Sequence, residues 1–75
     1  MYKYANKSGN SCVDSYQIGD NYIIVSYTSG SVYAYTYRSA GVTNVETMKS
    51  YALLGKGLSS FIRENVKDRY SKKLL

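Results

Sequence analysis

Histidine is absent from the 75 residues, so the commonest neutral-pH general base and the commonest metal ligand are both missing. Cysteine occurs once, as Cys12, which allows no internal disulfide and no multi-cysteine metal site. A lone free cysteine is expected as a small buried apolar residue. Carboxylates number five: Asp14, Asp20, Glu46, Glu64 and Asp68. Glu64 and Asp68 stand one helical turn apart, yet Arg63, Lys67 and Lys72 surround them at helical spacing, as on a solvated face. Gly55-Lys56-Gly57 lacks the long glycine lead and the Lys-Ser/Thr ending of a phosphate loop and reads as a turn between two helices. No catalytic constellation remains. The expectation is a protein that is not an enzyme and that uses no cofactor and no metal.

Long apolar runs are also missing. No segment approaches the roughly 20 apolar residues of a membrane helix. Met1–Asn10 is polar and lacks the apolar stretch of a signal peptide, so the expected location is cytoplasmic, without a membrane partner. The sequon Asn6-Lys7-Ser8 carries no weight without a secretory signal.

What is present fits one small globular domain, with 44% hydrophobic and 20% charged residues. Residues 1–10, with Asn6, Ser8, Gly9 and Asn10, read as a flexible N-terminal arm, and residues 11–75 as a single domain. Ser11–Ile18 is a strand candidate in which Val13 and Tyr16 break strict alternation, as a bulge would. Gly19-Asp20-Asn21 marks a turn. Tyr22–Thr28 is almost wholly β-branched or aromatic, with Ile23, Val25 and Tyr27 on one face. Ser29-Gly30 then turns the chain into Ser31–Arg38, where Tyr33, Tyr35 and Tyr37 alternate with smaller residues.

Loop length decides which residues oppose the tyrosine row. A three-residue loop, Thr28-Ser29-Gly30, sets Tyr27 against Ser31, Val25 against Tyr33 and Ile23 against Tyr35. A two-residue loop shifts the register by one and moves the row to the face of Tyr22, Ile24 and Ser26. The three-residue loop is preferred because it gathers the larger apolar surface on one side, where helices can cover it.

Beyond Ser39-Ala40-Gly41 the period lengthens to helical. Thr43-Asn44-Val45-Glu46 has the form of a capping box, and the helix it opens runs to about Leu54 with Val45, Met48, Tyr51 and Ala52 inward. Gly55 suits a left-handed cap. Leu58, Phe61, Ile62, Val66 and the stem of Arg69 define a second amphipathic helix reaching Tyr70 or Lys73. The predicted fold class is α+β: a three-stranded antiparallel meander followed by two helices packed on one face.

Two features bear on function. The chain holds ten tyrosines against one phenylalanine and no tryptophan, and three of them, Tyr33, Tyr35 and Tyr37, occupy one strand face. Such a row either fills a half-buried sheet face or forms a platform for unstacked bases or a protein partner. Charge is also uneven. Residues 1–48 hold three cations and three carboxylates, whereas residues 49–75 hold seven cations and two carboxylates, a net +5. Arg63, Lys67 and Tyr70 recur at spacings of four and three, a stripe that could track phosphates or simply solubilise a helix. An RRM is set aside, since its element order differs.

The run Val25-Ser26-Tyr27-Thr28-Ser29-Gly30-Ser31-Val32-Tyr33-Ala34-Tyr35 resembles the centre of the KTSC domain. That domain is named for its place at the C-terminus of some lysyl-tRNA synthetases and also occurs alone in small bacterial and phage proteins. Its Tyr-any-Tyr motif after a Ser-Gly turn is matched by Tyr33 and Tyr35, and Ser11, Val13, Ser15 and Tyr16 fit its opening strand. Its downstream Gly, aromatic, Asn and Ile-Arg meet Gly55, Leu58, Ser59, Ile62 and Arg63, with Leu58 and Ser59 departing from the pattern. The resemblance covers about Ser11 to Tyr70 and implies an RNA-binding module.

Two readings follow. In the first, the chain binds nucleic acid, RNA or DNA, through Lys56, Arg63 and Lys67 on phosphates, with Tyr70 on the same helix stripe, and through whichever of Tyr33, Tyr35 and Tyr37 is exposed on bases. In the alternative, it is an accessory module that docks a protein partner through an apolar or tyrosine-rich patch.

Overall fold

A computed structural model describes residues 1–75. It has the expected α+β plan, a strand meander followed by helices, built on an antiparallel sheet of five strands in chain order. The strands are β1 (Tyr2–Lys3), β2 (Val13–Ile18), β3 (Tyr22–Tyr27), β4 (Val32–Thr36) and β5 (Lys72–Lys73). Between β4 and β5 come α1 (Tyr37–Ala40), α2 (Val42–Leu54), α3 (Leu58–Phe61) and a π-helical turn over Ile62–Val66. No helix is long and apolar enough to cross a membrane.

The β3–β4 hairpin adopts the three-residue loop. Tyr27 N–H donates to Ser31 O, Gly30 takes φ 98°, and Val25 and Ile23 oppose Tyr33 and Tyr35. The expected bulge in β2 is also present, since the register slips between Val13 and Ser15. Ile23, Val25, Tyr16 and Tyr35 thereby share the face that α2 and α3 cover with Val45, Met48, Ala52 and Leu58. Burial of this one face is the main favourable term available to so small a chain.

The two additional strands come from the ends of the chain, and both correct the sequence reading. The first ten residues are not a free arm. Tyr2 and Lys3 pair with Tyr16 and Ser15, Lys7 N–H donates to Gly55 O, and Tyr4 is only 2% exposed within the core. A buried aromatic ring outweighs the polar composition around it. At the other end, the second helix does not persist to Tyr70 or Lys73. It stops near Lys67, and the tail turns back so that Lys72 and Lys73 pair with Ala34 and Tyr33. Pairing the open edge of β4 prevails over the helix propensity of the Lys- and Arg-rich tail, and the Arg69 stem lies exposed instead of inward.

Helix starts are corrected as well. The capping box that forms is Thr36–Ser39, where Thr36 Oγ1 accepts from Ser39 N–H and Ser39 Oγ accepts from Thr36 N–H. Chain reversal therefore begins earlier than expected, and Thr43 already lies inside α2, whose N-cap is Gly41. Glu46, freed from capping, pairs with Lys49 at 2.7 Å and accepts from the Tyr37 hydroxyl. Gly55 closes α2 as expected, at φ 79° with its N–H donating to Tyr51 O. Cys12 is exposed, contrary to expectation, because its side chain falls just before β2 on a loop and opens toward solvent.

Candidate functional site

The hairpin register positions one half of the site. Tyr33 and Tyr35 rise from β4 on the helical side of the sheet, and Tyr27 lies at the end of β3 on the same side. The Tyr27 ring meets Tyr33 edge-on, with centroids 5.7 Å apart, and its hydroxyl lies 3.5 Å from that of Tyr35. The helical segment supplies the other half. Asn65 Nδ2 donates to Phe61 O at 3.1 Å, an acceptor that an α-helix would reserve for the Asn65 backbone amide, and here the helix widens into its π-turn. Ile62, Arg63, Lys67 and Asp68 face the tyrosines across the resulting gap.

The gap is an open pocket of about 350 Å³, the only one in the molecule. Tyr27, Tyr33, Tyr35 and Tyr70 line its aromatic side, and Arg63 and Lys67 supply its cations. Tyr70 arrives from the turn leading into β5. Its ring packs 4.6 Å from Tyr33 and stands at 89° to Tyr35, while remaining 38% exposed. The Lys73 ammonium lies 5.9 Å from the Tyr33 ring, within cation–π range. The volume falls in the range of roughly 300–1,000 Å³ that accommodates small organic ligands.

No protein family, curated protein or solved structure matches the chain. The pocket itself therefore carries the functional argument.

Its electrostatics are lopsided. Arg63 and Lys67 share the pocket with one carboxylate, Asp68, and none of the three is ion-paired, since the single salt bridge joins Lys49 and Glu46 elsewhere. Burial, and then the hydrogen bond to Tyr27, push the Tyr35 phenol well above the ordinary phenol range; burial likewise raises Tyr27. One of the two hydroxyls donates to the other, which leaves a single phenolic proton of the pair for a ligand.

Of the seven residues expected from the sequence, five converge here: Tyr33, Tyr35, Arg63, Lys67 and Tyr70. Tyr35, however, is 1% exposed, so it forms the floor of the pocket and is no open stacking surface. Two residues do not belong. Tyr37 leaves the strand at the Thr36 cap, and its hydroxyl donates to Glu46 while the Lys49 ammonium lies 5.4 Å from its ring. Lys56 is exposed on the α2–α3 turn, outside the pocket lining. Sequence reasoning missed Tyr27, Cys12, Ser59, Ile62 and Asp68 as lining residues. Tyr27 was legible from the hairpin register, which puts it beside Val25 and Tyr33 on one face. Asp68 was not, because helical periodicity placed it on a solvated stripe with Glu64.

Proposed function

We propose that this chain is a small non-catalytic module that binds single-stranded nucleic acid, RNA in the first instance. The observation that carries this reading is the meeting of four tyrosine rings with Arg63 and Lys67 around one open pocket. Aromatic faces bind any unstacked base, at about 1–3 kcal/mol per stacked ring, and flanking cations hold the phosphates on either side. Tyr70 is the exposed ring available for stacking, Tyr33 is half-buried beside it, and Tyr35 with Tyr27 closes the floor. Lys73, on the adjoining strand, extends the cationic rim past Tyr33. The resemblance of Val25–Tyr35 to the centre of the KTSC domain favours RNA over DNA, and RNA as ligand suits a cytoplasmic location.

Salt dependence tests the reading. Neutralising two or three phosphates releases condensed counterions, so log affinity should fall against log salt with a slope of about −1.4 to −2.1 on a single strand. Fluorescence anisotropy of a labelled oligouridine at a series of salt concentrations measures it. Replacing Arg63 and Lys67 together by Ala should flatten the slope by about 1.4, the share of two contacts. An affinity indifferent to salt, or no affinity for any RNA or DNA strand, would refute the proposal.

A further inference from the structure

Resting on the nucleic-acid reading, we propose that Asp68 makes the pocket selective for guanine. The pocket wall separates its hydrogen-bonding capacities by sign. Arg63 and Lys67 can only donate, whereas the ionised carboxylate of Asp68 can only accept. The three side chains share one cavity without forming an ion pair, so their donors and acceptors remain open to a ligand. Ser59, on α3, adds a hydroxyl of either polarity.

The four bases answer this arrangement differently. Guanine presents two neighbouring donors, N1–H and N2–H, which match the two oxygens of one carboxylate, and beside them the O6 acceptor for a cation. Cytosine brings one amino donor, so it can engage the carboxylate only once. Adenine sets the lone pair of N1 beside its amino group, and uracil flanks its single N3–H with two carbonyl oxygens. Both would face Asp68 with acceptor against acceptor. A carboxylate also repels phosphate, so a nucleic-acid pocket that carries one without neutralising it needs a compensating contact. A base edge with paired donors provides that contact. The cavity of about 350 Å³ is larger than a two-ring base.

The test uses the intact chain and short RNA strands of uridine carrying a single central guanine, adenine, cytosine or no replacement. Tyrosine fluorescence quenching reports binding, since the chain has no tryptophan. The guanine strand should bind about five- to tenfold tighter than all-uridine, the low end of bidentate discrimination because Asp68 is exposed. Asp68→Asn should bring the two strands within about twofold of each other while leaving the all-uridine affinity unchanged or stronger. Asp68→Glu, which keeps the carboxylate, should retain part of the preference. Equal binding of all four strands by the parent chain overturns the guanine assignment and leaves the nucleic-acid reading standing. A uniform gain for every strand in Asp68→Asn overturns it too, because that marks charge repulsion alone. Absence of binding to every strand overturns the nucleic-acid reading and this inference with it.

Discussion

The hydroxyl of Tyr4 holds the start of α3 from the far end of the chain, and removing it should measurably loosen the domain. Tyr4 Oη accepts the N–H of Leu58 at 3.2 Å in a fully buried setting. Leu58 is the first residue of α3, and the N-cap before it, Gly57, has no side chain to cap that donor. Tyr4→Phe keeps the ring and deletes only the acceptor, which strands a buried amide at a cost of about 1–2 kcal/mol. For a domain of this size that corresponds to a fall in melting temperature of roughly 4–16 °C. Tyr4→Ala also leaves a cavity and should cost about 3–5 kcal/mol, comparable to the whole net stability of a chain this small. Circular dichroism through thermal and urea denaturation measures both variants, and a chain lacking residues 1–10 should be unfolded in the same assay. A Tyr4→Phe variant melting within about 2 °C of the parent, or cooperative melting of the truncated chain near the parent temperature, would refute the reasoning.

Docking of the N-terminal segment has a second, independent readout at Gly55. A Cβ there would sit 2.5 Å from Ala5 Cβ at φ 79°, whereas at Gly30, φ 98°, it would meet nothing within 4 Å. Gly30→Ala should therefore cost about 1 kcal/mol of backbone strain, and Gly55→Ala about 1–2 kcal/mol more, recovered by adding Ala5→Gly. Chemical denaturation of the three variants decides it. Tyr70→Ala should weaken oligouridine binding by about fivefold or more through loss of one stacking ring, and should cost about 1 kcal/mol or more of stability through loss of its contacts with Tyr33 and Tyr35. In alkaline solution the raised phenols of Tyr27 and Tyr35 set the sign. They favour the folded state fully below about pH 10, where the unfolded chain would ionise, and that contribution is lost as pH rises further. Melting temperature should accordingly fall above about pH 10, and near-ultraviolet titration should find these two phenolates forming only with unfolding. At the acid end, Lys49 first and then Tyr37 hold the Glu46 carboxyl below the usual carboxylate range. The contribution of that cluster is present above the ordinary carboxylate pKa and disappears as pH falls through the lowered value, which nuclear magnetic resonance titration of Glu46 can follow.

Local chemistry made the centre of the domain legible. Alternation over Tyr22–Tyr27, a glycine able to take positive φ at Gly30, and the gain from gathering large apolar residues on one face together select the β3–β4 register. The α2 core positions and the Gly55 cap follow from the 3.6-residue period and the left-handed freedom of glycine in the same way. Each of these depends on residues close together in the chain, where spacing alone carries the geometry.

Contacts between distant segments were decided only by the tertiary structure. Tyr4 and Leu58 lie 54 positions apart in the sequence, and nothing local to Tyr4 shows that it will be buried. Lys72 and Lys73 favour a helix in isolation but complete the sheet because β4 would otherwise expose its edge. The pocket has the same origin. Tyr33 and Tyr35 come from the hairpin, Arg63 from the π-turn and Tyr70 from the returning tail, and a helix continued through Tyr70 would have carried that ring away from them. Periodicity describes one element at a time; the joining of three elements around a cavity is set by how the chain packs, which no single segment encodes.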